Sequence, residues 1–84
     1  MSKCEALRAK AQNNPNGLRF TELCALAECF GWVLDRTRGS HCVYKRAGEM
    51  RAMVFQNFKG SAKPYQVNQL LKAIDSLPDE SDKE

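Results

Sequence analysis

One imidazole limits the proton chemistry open to this chain. The 84 residues hold a single histidine, His41. It sits in RTRGSHCVYKR, residues 36 to 46, where a Gly-Ser pair leads into an alternating stretch. Arg36, Arg38, Lys45 and Arg46 crowd it, and Lys59 and Lys63 follow in FKGSAK. An imidazole titrates ordinarily at ~6.5, so it can take or give a proton near neutral pH. Cationic side chains beside it suit a phosphate, whose developing charge they would stabilise. Read from the residues alone, a lone histidine at a strand start is more often an exposed polar position. Charges on such strands are likewise more often a solvated sheet face.

Other chemistry is poorly supported. Cys4, Cys24, Cys29 and Cys42 could make two disulfides. The N-terminal stretch MSKCEALRAK is charged rather than apolar, so no signal peptide is expected. Reduced thiols in a cytoplasmic protein are the expectation, with cysteines acting as small apolar side chains. A zinc site from Cys24, Cys29, His41 and Cys42 can be drawn. Neighbours on a strand point to opposite faces, however, and the spacing matches no common ligand pattern. Neither a metal nor a cofactor is expected. No run of about 18 apolar residues exists, so no membrane partner is expected.

Charge is divided unevenly along the chain. Residues 75 to 84, DSLPDESDKE, carry five acids and one lysine, a net of −4. The other 74 residues carry twelve bases and five acids, a net of +7. A basic body suits a polyanion. Residues 1–77 read as one domain, and 78–84 as an acidic, disordered tail.

Periodicity supplies the elements that must hold His41. Cys4, Leu7 and Ala11 make a weak helical stripe over 3–12, broken by NNPNG. Leu23, Leu26, Ala27 and Phe30 form a stronger one, with Thr21 as expected N-cap and Gly31 as its end. WVLDRT (32–37), HCVYKR (41–46) and MRAMVFQN (50–57) read as strands linked by RGS and AGE. Alternation places His41, Val43 and Lys45 on one face, and Cys42, Tyr44 and Arg46 on the other. Val67, Leu70, Leu71 and Ile74 mark a last helix that starts near Pro64. The class is α+β: a two-layer sandwich with a three-stranded antiparallel sheet packed by helices. Its core order is α-β-β-β-α with an extra N-terminal helix.

RGSHCVYKR and AKPYQVNQLLKAI, in this order of elements over 18–77, resemble the HicA family of toxin ribonucleases. That resemblance implies a fold like the double-stranded-RNA-binding domain. It also implies metal-independent cleavage of messenger RNA and restraint by a HicB-type antitoxin. Gly39-Ser40-His41 looks like the family's catalytic motif, with His41 as the active residue. Ser40, Arg36, Arg38, Lys45, Arg46, Lys59 and Lys63 become candidate RNA contacts. Two departures stand out. Many members carry a second histidine where this chain has Cys42, and the segment after the third strand holds none.

Cleavage would require removing the 2′-hydroxyl proton, stabilising charge at phosphorus and protonating the leaving 5′-oxygen. With one imidazole, His41 serves both proton steps in turn, or Tyr44, Lys45 or a second copy's His41 assists. Alternation makes Tyr44 a poor assistant. Two other classes stay open: a non-catalytic RNA-binding module of this fold, and a protein-interaction domain with a basic face.

Overall fold

Apolar residues at three- and four-residue spacing form helices here, and alternating stretches form strands. The computed structural model describes residues 3–77; the expected acidic tail lies outside the described residues. Helix α1 spans Lys3–Asn13, a short 3-10 turn Pro15–Gly17, and α2 Phe20–Cys29. Strands β1 (Val33–Arg38), β2 (His41–Lys45) and β3 (Met53–Gln56) follow, then α3 (Pro64–Asp75). The strands form one antiparallel sheet in the order β1-β2-β3, with β2 central. The class is therefore α+β, as the sequence implies. No helix among the described residues is long and apolar enough to cross a membrane.

The core lies on one side of the sheet. Leu23, Leu26 and Ala27 of α2 and Val67, Leu70 and Ile74 of α3 pack with Trp32, Tyr44 and Phe55. Burying each large apolar side chain is worth about 1.5–3 kcal/mol, so this layer dominates the stability. Tyr44 and Phe55 touch ring to ring at 5.4 Å. Helix α3 also reaches the sheet through Gln66, the one buried polar side chain among the described residues. Its Oε1 accepts the backbone N–H of Gln56 at 2.8 Å, satisfying a donor on the edge strand β3.

Helix ends differ slightly from the sequence reading. Thr21 lies inside the first turn of α2, and Arg19 is the N-cap. Glu22 sits three residues on, and its carboxylate accepts the Arg19 N–H at 2.9 Å, half of a capping box. Lys10 clamps the same carboxylate at 2.8 Å. Its hydrogen bond, and that of Arg19, hold the Glu22 carboxyl below its usual value. At the other end Gly31 takes φ +99°. Gly31 donates to Glu28 and Trp32 to Ala27, a Schellman closure that only a left-handed residue permits cheaply.

Strand limits also shift. A bulge at Asp35 interrupts the β1–β2 register between Leu34 and Arg36. Strand β3 begins at Met53 instead of residue 50, and Met50 is fully exposed. The link to β3 is correspondingly longer than AGE. Arg46 leaves the ladder because its guanidinium is drawn to the end of α2.

Helix α1 packs Leu7 and Ala11 against the helical layer. Cys4 and Cys29 are joined by a disulfide, which corrects the expectation of four reduced thiols. The α1–α2 packing brings their Cα atoms to 5.8 Å, although 25 positions separate them in sequence. No local spacing could report that approach. Cys24 is free and buried, and burial pushes its thiol pKa up.

Candidate nucleic-acid interface

The site begins with a tight turn. Gly39 and Ser40 join β1 to β2, so Arg38 and His41 are direct cross-strand partners. Gly39 takes φ +58° at the first central position, while Ser40 does not take a positive φ. That combination is a type II′ turn, whose twist matches the flanking strands. A two-residue turn fixes the register, and the register fixes what stands beside the imidazole.

Directly opposed residues project from the same face with Cβ atoms about 4.5–5.5 Å apart. Arg38, His41 and Gln56 therefore make one row across all three strands. Arg36, Val43 and Val54 make the next, and Val33 and Lys45 the third. Tyr44, Cys42 and Phe55 belong to the opposite, helix-covered face. Tyr44 is buried, lies 3.5 Å from a Glu28 oxygen, and has its phenol pKa raised by burial. It cannot reach a substrate held at His41.

The imidazole of His41 is exposed. Among the described residues, no side chain hydrogen-bonds to it, and none pairs with Arg38. No neighbour among the described residues fixes its tautomer. Arg36 and Lys45 are partly committed to Asp35 in the bulge, at 2.9 Å and 3.8 Å. Arg38 is thus the cation most available to a phosphate beside His41.

The remaining candidates divide. Ser40 is exposed, and its carbonyl accepts the Asn57 N–H at 2.8 Å, which ties the turn to the segment leaving β3. Lys59 and Lys63 stand on that segment, at the His41 end of the sheet, with their ammonium groups over the ring of Phe58. Arg46 does not join the group. Its Nε donates to the Phe30 carbonyl at 2.7 Å, and its guanidinium lies over the Trp32 ring at 5.6 Å. It caps a helix end.

Three residues escape the sequence reading. Gln56 joins the His41 row only through register, Asp35 engages two cations only because of the bulge, and Phe58 is exposed where an aromatic suggests core. The segment Phe58–Lys59 carried a faint signal, since an aromatic between polar residues at a strand end is often left in solvent.

The open sheet face thus sets one imidazole beside Arg38, which has no partner among the described residues, and such a pair is chemically suited to a phosphodiester. The model of the family described as HicA toxin of bacterial toxin-antitoxin matches residues 20–75. No curated protein and no solved structure matches the chain. Helix α1 lies outside the matched span, while the Arg38–His41–Gln56 row and α3 lie within it. The match covers well over half of the chain, and the chain belongs to the HicA toxin family of bacterial toxin-antitoxin systems.

Proposed function

We propose that this toxin is a metal-independent endoribonuclease that cleaves messenger RNA with His41 as its proton-transfer group. The observation that carries the reading is the exposed, cross-strand placement of His41 beside Arg38, which has no ion-pair partner among the described residues. Neutral imidazole takes the proton of the 2′-hydroxyl as that oxygen attacks phosphorus. The new P–O2′ bond forms as the P–O5′ bond breaks. The imidazolium then returns its proton to the departing 5′-oxygen, leaving a 2′,3′-cyclic phosphate. Arg38 stabilises the charge that builds on the phosphoryl oxygens. Arg36, Lys45, Lys59, Lys63 and Ser40 hold the flanking strand, and Arg46 supports the fold instead. The proposed compartment is the cytoplasm, where messenger RNA is found.

A toxin of such a system has an antitoxin, and a HicB-type protein is the proposed partner. Val43 and Val54 form an apolar strip beside Arg36, with Val54 42% exposed. An acidic partner with an apolar centre would suit that strip and be steered by the cations.

Simple RNA binding is favoured by one observation: His41 has no second proton-transfer group beside it among the described residues. Cleavage of single-stranded RNA by purified protein in excess chelator separates the readings. His41→Ala should abolish cleavage and keep RNA affinity. Binding without cleavage by the native chain would leave the binding module.

A further inference from the structure

Phe58 is half in solvent, at 51% exposure, although Phe55 three residues earlier is 1% exposed. Lys63 holds its ammonium 5.0 Å from the Phe58 ring centroid, and Lys59 holds its own at 5.9 Å. An exposed aromatic ring flanked by two cations is the pairing of groups that a single nucleotide presents in reverse, a flat base beside a phosphate.

The ring is firmly presented. Phe58 and Ser61 exchange backbone hydrogen bonds of 3.0 Å and 2.9 Å around Lys59 and Gly60. Both central residues have positive φ, at 53° and 87°. Lys59 is the only non-glycine residue so placed among the described residues, where asparagine or glycine would sit more easily. A lysine kept in a strained backbone position suggests that its side chain is used. Gly60 also donates to the Asn57 side chain at 2.7 Å. Phe20 donates to the Gly60 carbonyl and Ala62 to that of Leu18, each at 3.0 Å, so the turn is strapped to the entry of α2.

Position links this ring to the site. Gln56 is the cross-strand partner of His41, Asn57 donates to Ser40, and Phe58 comes next in the chain. Beyond the turn, a polar cleft of about 390 Å³ is lined by Asn16, Arg19, Lys59 and Ser61. A strand with its phosphate at Arg38 and His41 would run past Phe58 toward Arg19.

We infer that Phe58 is a stacking platform for an unpaired nucleobase next to the phosphate held at His41, with Lys59 and Lys63 taking its flanking phosphates. The inference rests on the proposed RNA site and names its substrate class as single-stranded. Stacking on an aromatic ring is worth roughly 5- to 150-fold in affinity per base. An exposed cation–ring contact is worth only about 2- to 5-fold, so a base can displace the lysines from the ring. Their charge is then released to the phosphates.

The test uses the full His41→Ala chain and 2′-O-methylated single-stranded RNA of about eight nucleotides, with an abasic strand of equal length as control. Adding Phe58→Ala should weaken the base-bearing strand about tenfold or more and leave the abasic strand unchanged. Adding Phe58→Trp should restore affinity and quench its fluorescence on binding. Unchanged affinity for the base-bearing strand would overturn the platform, as would equal losses for both strands. Cleavage by the native chain in chelator is scored separately. Base-dependent loss without cleavage would overturn only the catalytic reading, and cleavage without base-dependent loss only the platform.

Discussion

Arg38 and His41 stand opposite each other across the Gly39–Ser40 turn, on the sheet face away from the helical core. Eight positions on, Arg46 stands on the same hairpin but on the helical side, hydrogen-bonded to Phe30. The two arginines are indistinguishable in composition and should fail in opposite ways. Arg38→Ala should lower cleavage by roughly 10²-fold, the usual effect of losing one transition-state donor. Its melting temperature should stay within a degree or two, because the Arg38 side chain makes no hydrogen bond or ion pair among the described residues. Arg46→Ala should leave the cleavage rate per folded molecule unchanged and destabilise by about 2 kcal/mol, since a charged hydrogen bond to a half-buried carbonyl is removed. Kinetics and thermal melts of both variants decide it; a stability loss at Arg38 with full activity would reverse the assignment.

The disulfide gives a second expectation. Cys4 and Cys29 close a loop of 25 positions, which the chain-entropy account values at about 3.5 kcal/mol. Other contacts of α1 include Leu7, Ala11, the Arg8 guanidinium over the Phe30 ring, and the surface ion pairs Arg8–Asp75 at 2.6 Å and Lys10–Glu22 at 2.8 Å. Surface pairs contribute about 0–1 kcal/mol each. Cys29→Ser should therefore lower the melting temperature by ~10 °C or more. Hydrogen exchange should rise first in residues 3–13. Thiol titration of denatured, unreduced protein should find two reactive groups, rising to four after reduction. Four groups without reductant would show that the bond does not persist.

Acid should weaken the same contact. Glu22 has its pKa lowered from 4.5, first by its hydrogen bond to Lys10 and then by the Arg19 N–H. A lowered folded value contributes stability that is complete above 4.5 and is lost as pH falls through the folded value. The effect is about 0.5–1 kcal/mol, because Lys10 is half exposed. Native protein should thus melt above Glu22→Gln at pH 6, and the two should converge as pH drops below 4.5. A gap that persists at pH 2.5 would point to packing instead.

Much of this was legible from residue order, and the omissions share a cause. The stripes Leu23–Leu26–Ala27 and Val67–Leu70–Ile74 repeat with the helical period and are buried as that period requires. Gly31 ends α2 because only a left-handed residue allows the closing hydrogen bonds. Alternation along β2 separates His41 from Tyr44 without any tertiary information. What alternation cannot supply is which residue lies across from which. Gln56 reaches the His41 row through register, and Asp35 reaches Lys45 through a bulge. Cys4 meets Cys29 through helix packing. Arg46 resembles the other cations in sequence because residue order shows charge and does not show a carbonyl 2.7 Å away.

Restraint of the toxin gives the last prediction. If the toxin acts as the proposed ribonuclease it must be blocked, and the simplest block would cover the row proposed to hold the phosphate. Arg36, Arg38 and Lys45 on an uncovered face would attract an acidic antitoxin surface, and the Val43–Val54 strip gives it something apolar to bury. RNA and antitoxin would then compete for one set of charges. Competition by charge makes both complexes salt-sensitive, with a slope near −0.7 per phosphate contact for single-stranded RNA. The measurement titrates antitoxin and non-cleavable RNA against the His41→Ala protein at two salt concentrations. Mutual exclusion is expected, together with parallel weakening of both complexes when Arg38 is replaced by alanine. A stable ternary complex would mean that the antitoxin acts away from this face, and a salt-independent RNA affinity would remove the nucleic acid from it altogether.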